Sequence, residues 1–182
     1  VPQSISAVTK EVIRDQGLRR LNEIAPFISG VNEFSVYDDL TIRGFRTNDD
    51  RRLNGQRTYN AFWTQPLIDH LERVEVIKGP ASAIFGDASP GGVINMVTKK
   101  PLAKPAYEAR AMLGSFSRKQ AAVDLTGPLN DTQSLLYRLN LGVEDSDSFR
   151  EQVFNKSTLV APSFTGPSSF RVEPNTHNRW SS

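Results

Sequence analysis

Apolar and polar positions follow two different patterns along the chain, and the change falls near residue 101. In the first stretch the apolar runs are short and mixed. Ser4 to Val8 reads as a strand, and Thr9 is placed to cap a helix over "KEVIRDQ", with Glu11 in the first turn where the helix dipole favours an acid. Beyond Gly17, the residues Leu18, Leu21 and Ile24 of "LRRLNEIAPFI" share one helical face, Pro26 perturbs its end, and Gly30 suits a terminus that needs positive φ. "FSVYDDLTIRGF" reads as extended, with Leu40 and Ile42 alternating against Thr41 and Arg43. Asn54-Gly55 in "RLNGQR" is a strong signal for a two-residue hairpin turn. Pro66 suits the first turn of a helix over "PLIDHLER", which yields to a strand where Val74, Val76 and Lys78 alternate with Glu75 and Ile77. A short helical turn over "PASAIFG" and a strand over "VINMVTK" complete a small α+β domain.

After Pro105 the period is two. In "YEARAMLG" Tyr107, Ala109, Ala111 and Leu113 oppose Glu108, Arg110 and Met112; in "KQAAVDLTG" Ala121, Val123 and Leu125 oppose Ala122, Asp124 and Thr126. Leu135, Tyr137, Leu139, Leu141 and Val143 then oppose Leu136, Arg138, Asn140 and Gly142. "GPLNDTQ" reads as a turn, and "EDSDSFREQVFNKS" as a long polar loop leading to a strand over "TLVAPSF". Strands of about ten residues with one apolar and one polar face are the pattern of an outer-membrane barrel. An antiparallel sheet on a soluble core alternates in the same way, so period alone leaves both open. From "TGPSSFRVEPNTHNRWSS" onward no helical or strand period is present.

Composition narrows the class. The 182 residues are 38% hydrophobic and 23% charged, with a net charge of +2 from 22 basic and 20 acidic side chains. Mean hydropathy is −0.40. No run approaches the ~20 apolar residues of a spanning helix, and no basic stripe with interleaved aromatics points to nucleic acid. The absence of cysteine excludes disulfides, thiolate metal sites and cysteine nucleophiles, and His70 and His177 are too far apart for a helical metal pair. The chain opens "VPQSIS", with neither an initiator methionine nor a signal peptide, as a processed or excised N-terminus would.

Four glycines (Gly79, Gly86, Gly91, Gly92) and two prolines (Pro80, Pro90) crowd "KGPASAIFGDASPGG" between two strand-like runs. A phosphate cradle is excluded by spacing, because no Gly-Lys pair follows and the G-x-G-x-x-G pattern is missing. No nucleophile–base constellation or paired carboxylates in a pocket pattern indicate an enzyme.

Taken in order, "VPQSISAVTKEVIRDQG", "TIRGF", "RLNGQR" and "LERVEVIKGPASAIFGDASPGGVINMVTKKP" resemble the plug of TonB-dependent outer-membrane receptors for ferric siderophores. "GSFSRKQAAVDLTGPLND", "LLYRLN" and "EDSDSFRE" resemble the first barrel strands and an extracellular loop of the same receptors. The likeness runs over residues 1–164. It implies an α+β plug over 1–101, then antiparallel strands of an incomplete transmembrane β-barrel over 102–164, then an atypical or disordered tail over 165–182. The whole receptor of this family closes about 22 strands around its plug, far more than the strands present here. The glycine-rich loop then belongs to the compact plug fold, with Gly91-Gly92 re-entering a strand.

The resemblance also implies function. A ferric siderophore binds at the apex of the plug, and a TonB energy-coupling partner drives its release across the outer membrane. No cofactor is implied, iron entering only within its chelate. The apex positions are Tyr59, Phe62 and Trp63, with Arg46, Gln56 and Arg57 as further candidates, since aromatic faces and guanidinium donors suit a bulky chelate. Arg43 of "TIRGF" and Lys78 of "VIKGP" match basic positions that lock the plug to carboxylates on the barrel wall, with Arg73 and Glu75 as further polar links. Lysine at position 78 cannot form the two-pronged fork of an arginine. The alternative function is a stand-alone soluble interaction module that keeps the plug fold without transport.

Overall fold

A computed structural model describes residues 4–35, 39–47, 51–58, 65–79, 89–114, 118–147 and 154–166. The chain divides into two compact units, Val1–Thr98 and Lys99–Ser182. The helical turn expected over "PASAIFG", the aromatic group Tyr59, Phe62 and Trp63, and most of the tail lie outside the described residues.

The first unit is built on a mixed five-stranded sheet. Its strands are β1 (Ser4–Thr9), β5 (Arg51–Leu53), β6 (Gln56–Arg57), β7 (Leu71–Lys78) and β8 (Gly92–Thr98), in the order β1-β7-β8-β5-β6. β5 runs parallel to β8, and the other pairs are antiparallel. A second sheet joins β2 (Val31–Ser35), β3 (Asp39–Ile42) and β4 (Phe45–Arg46). One apolar core serves both, with Val8, Ile13, Leu21, Ile24, Leu40, Ile42, Ile68, Val74, Val76 and Ile94 among its members.

Local structure differs from the sequence pattern at two places in this unit. Leu18, Leu21 and Ile24 are all buried, but Leu18 precedes the helix, and Leu21 and Ile24 lie in a 3₁₀ helix, Leu21–Phe27. The spacing of three from Leu21 to Ile24 is the 3₁₀ period, in which i and i+3 eclipse, and the Glu23 carboxylate caps the entry by accepting from the Arg19 and Arg20 amides at 2.6 and 3.2 Å. The helix expected over "PLIDHLER" is absent: residues 65–68 carry no regular structure and β7 begins at Leu71. A register shift between Leu71 and Arg73 inserts an extra residue, so Leu71 and Val74 both reach the core at a helix-like spacing. The segment before it is held by tertiary partners, Ile68 N on Arg19 O at 3.0 Å and Asp69 on the Arg19 guanidinium at 3.0 Å. The helix α1 (Lys10–Asp15) forms as expected, although Thr9 makes no side-chain bond to its backbone. The Thr9 hydroxyl instead donates to Glu11 and holds that carboxyl below its usual range.

The second unit is a four-stranded antiparallel sheet of β9 (Ala106–Leu113), β10 (Lys119–Pro128), β11 (Leu136–Asp147) and β12 (Phe154–Thr165), ordered β12-β11-β10-β9. Much of the expected polar loop is strand, because the ladder continues through Glu144↔Ser157 and Asp145↔Lys156. The Asp145 and Lys156 side chains pair there at 3.3 Å.

Register aligns three apolar rows on one face: Tyr107, Leu125, Leu139 and Pro162; Ala109, Val123, Leu141 and Val160; Ala111, Ala121, Val143 and Thr158. This apolar face is the outer one, with Tyr107 69%, Val143 50% and Val160 48% exposed. On β10 and β11 the polar face is buried, with Thr126 at 1%, Asn140 at 3% and Glu144 at 4%, while on β9 both faces are largely exposed. A sheet packed on a soluble core has the opposite polarity. A barrel wall has this one. The sheet is open, with β9 and β12 at its edges.

Asp124 organises the buried face. Arg138 donates to it through Nε at 2.8 Å and Nη2 at 2.7 Å, Lys99 Nζ at 2.8 Å, and Arg138 Nη1 turns to the Lys100 carbonyl at 2.8 Å. Thr126 Oγ accepts from the Leu102 amide and donates to the Tyr137 carbonyl, each at 2.9 Å. Residues 99–102 are thereby fastened along the inner face. Replacing Asp124 with alanine strands two buried cations, a loss of about 3–5 kcal/mol. Denaturant titration of the detergent-solubilised chain checks this, and a midpoint unchanged from wild type would contradict it.

Candidate functional site

The turn between β3 and β4 is Arg43-Gly44, with φ of +52° and +86°. Both signs are those of a type I′ hairpin, which Asn-Gly forms readily. Asn54-Gly55 does so in the same unit at +52° and +84°. Arginine in the left-handed region costs roughly 1–2 kcal/mol, so something beyond local preference holds Arg43 there. Its amide donates to the Gly30 carbonyl at 2.9 Å, and the flanking residues meet a glycine from another element. A Cβ on Gly91 would lie 2.4 Å from Ile42 O and 2.8 Å from Phe45 Cβ. The next residue closes the other side: Gly92 has φ +138°, and a Cβ there would lie 2.2 Å from Ile77 O and 3.1 Å from Lys78 Cα. Two consecutive glycines thus sit between the Arg43 turn and the end of β7, bringing together the two basic positions singled out in the sequence.

Neither cation meets a carboxylate among the described residues. Arg43 is exposed, and its side chain makes no hydrogen bond or ion pair among the described residues. Lys78 is buried, and among the described residues its ammonium has one partner, the Ser6 hydroxyl of β1 at 3.2 Å. A buried ammonium without a counter-charge is costly.

Arg73 and Glu75 pair with each other at 2.7 Å. Glu75 also accepts from Asn95 Nδ2 at 2.8 Å, and Asn95 Oδ1 accepts from the Gly55 amide at 2.9 Å. The Asn54 side chain clasps Thr98, accepting from its amide and donating to its hydroxyl, each at 3.0 Å. The β5–β6 hairpin is thus fastened to the central sheet by side chains that pattern reading passes over. The sequence marked Asn54 for its backbone alone and Asn95 not at all. Gln56, exposed, and Arg57, half-buried, form β6 and lead into the aromatic group beyond the described residues. Arg46 lies apart from this hairpin sheet, on β4, where Asp39 and the ring of Phe34 hold it.

With this geometry in place, comparison with known proteins decides the family. The model for the TonB-dependent Receptor Plug Domain matches residues 1–93, half of the chain. The chain belongs to the TonB-dependent receptor plug family. It is 38% identical over 180 residues to the metal-pseudopaline receptor CntO of Pseudomonas aeruginosa, covering 97% of this chain and 25% of that protein. It is 33% identical to the ferrichrome outer membrane transporter/phage receptor of Escherichia coli, over 91% of this chain and 23% of that one. Among solved structures, the ferric-catecholate import receptor Fiu of E. coli in its open form superposes with a TM-score of 0.81 at 30% identity, covering 90% of this chain and 24% of that one. The chain therefore spans about a quarter of the length of these relatives. Such relatives are receptors and transporters rather than enzymes. The first unit is the plug, and the second carries barrel-type strands.

Gly92→Ala should destabilise the plug by more than about 2 kcal/mol, since the new carbon has only backbone to displace and a disfavoured φ to hold. Arg43→Gly should stay within about 1 kcal/mol of wild type, relief of the left-handed arginine offsetting added chain entropy. Thermal unfolding of the two variants side by side measures both, and equal losses would refute the assignment of Arg43 to a role other than folding.

Proposed function

We propose that this chain is the N-terminal part of an outer-membrane receptor that binds a ferric siderophore at its plug and gates passage of that chelate into the periplasm. The observation that carries this reading is the inverted polarity of the second unit, with apolar rows outward and a hydrogen-bonded polar face buried. A soluble interaction module gains nothing from an apolar outer face, and an open edge in lipid leaves backbone groups unpaired. Further wall strands are what such a sheet needs.

Arg43 and Lys78 fit this reading as the plug's half of a plug–wall lock. Neither meets a carboxylate among the described residues, and one glycine pair packs against Ile42 and Phe45 on one side and Ile77 and Lys78 on the other. Carboxylates on the barrel wall would complete them in a site shielded from bulk water, where such pairs are strongest. The chelate is met by the apex candidates Gln56, Arg57 and the aromatic residues that follow them in sequence. A TonB-type partner supplies the energy that rearranges the plug, and no bond of the ligand is made or broken.

Fractionation of iron-starved native cells with an antiserum against the plug tests the reading. A heat-modifiable outer-membrane band several-fold heavier than 20.2 kDa supports it. A soluble band at that mass would reject it. In the membrane-borne receptor, Lys78→Met should reduce uptake of its ferric siderophore several-fold at unchanged receptor abundance; undiminished uptake would remove Lys78 from the lock.

A further inference from the structure

We propose that Arg46 is a preformed fork for a free carboxylate on the incoming metal chelate, and that Asp39 and Phe34 are the positioning residues that hold it ready. The proposal rests on the reading of the chain as a siderophore-receptor plug, and it names the chemical group that the plug selects.

A guanidinium carries five N–H donors in a rigid plane. In Arg46, Nε and one Nη2 donor converge on Asp39 Oδ2, the former at 3.1 Å. The Phe34 ring covers one face, its centroid 4.3 Å from Cζ. The outer edge, formed by Nη1 and the second Nη2 donor, meets no acceptor among the described residues, and the side chain is 46% exposed. Two parallel donors at that edge match the two oxygens of a carboxylate. Anchoring on two sides has already removed most of the rotamer freedom that an arginine ordinarily loses on binding.

Asp39 is only 1% exposed, its Oδ2 receives the Arg46 donors, and its Oδ1 meets no hydrogen-bond partner among the described residues. Asp39 also balances the charge of Arg46, so the pair attracts anions weakly at long range and discriminates by geometry at contact.

Chelate chemistry narrows the partner. Hydroxamate and catecholate oxygens turn inward to the metal. A carboxylate that does not ligate the metal is the planar two-oxygen group left on the periphery, where a side chain can reach it.

Three probes with one iron core isolate that group: ferrioxamine B, ferrioxamine B succinylated on its amine, and the methyl ester of the succinyl form. Ferrichrome, ferric enterobactin and ferric citrate complete the set, and binding is measured by calorimetry on the full detergent-purified receptor. The succinyl form should bind about tenfold to a hundredfold tighter than its ester, the range expected for charge-assisted hydrogen bonds. Arg46→Gln and Arg46→Lys should erase that ratio while leaving affinity for the ester within twofold, and Asp39→Asn should reduce it. A merely structural role would lower all affinities together. Equal affinity for acid and ester, or a ratio that survives Arg46→Gln, overturns the proposal. Binding confined to ferrichrome or ferric enterobactin overturns it too while leaving the siderophore-receptor reading intact. Binding of none of the six overturns both.

Discussion

Backbone contact at Gly91 and Gly92 is the constraint on which the first unit depends. The Ile42 carbonyl and the Ile77 carbonyl approach this pair more closely than any β-carbon allows. Through it, the small sheet of β2, β3 and β4 meets the end of β7, and the left-handed Arg43 turn is held where local preference would not put it. Close packing of main chain on main chain leaves no slack, so the two basic residues on either side have fixed relative positions. The same constraint that folds the plug therefore also assembles its candidate lock.

The second unit answers to a different solvent. Its apolar rows lie outward, and Asp124, Arg138 and Glu144 lie on the buried face, the reverse of a water-soluble sheet. Charges survive on the inner face because they are mutually satisfied: Asp124 receives donors from Arg138 and Lys99, and the arginine still has one edge for a main-chain carbonyl. Inside-out polarity and a connected polar network are a single device, since neither is tolerable without the other.

Functional potential sits where bonding is left incomplete. Among the described residues, Lys78 meets a hydroxyl and no counter-ion, the Arg43 side chain meets no partner, and Arg46 presents an open edge above Asp39. Arg73, Glu75, Asn95 and the Gly55 amide, by contrast, close on one another and fasten the β5–β6 hairpin to the central sheet.

Much of this was legible in the chain. Asn54-Gly55 announced its hairpin because only a few residues tolerate two positive φ angles in succession, and the period-two runs after Pro105 announced their strands because side chains alternate across a sheet. The glycine-rich stretch marked a place of close approach without saying what approached. Tertiary structure alone decided the rest. Leu71 and Val74 mimicked a helix because a bulge, set by pairing with β8, put both on the core face. Asp39, Phe34 and Asn95 were invisible because their roles depend on neighbours distant in sequence or across a ladder. Alternation could say that the later strands have two unlike faces, but which face is buried depends on what surrounds the sheet, and a one-dimensional pattern carries no sign for that.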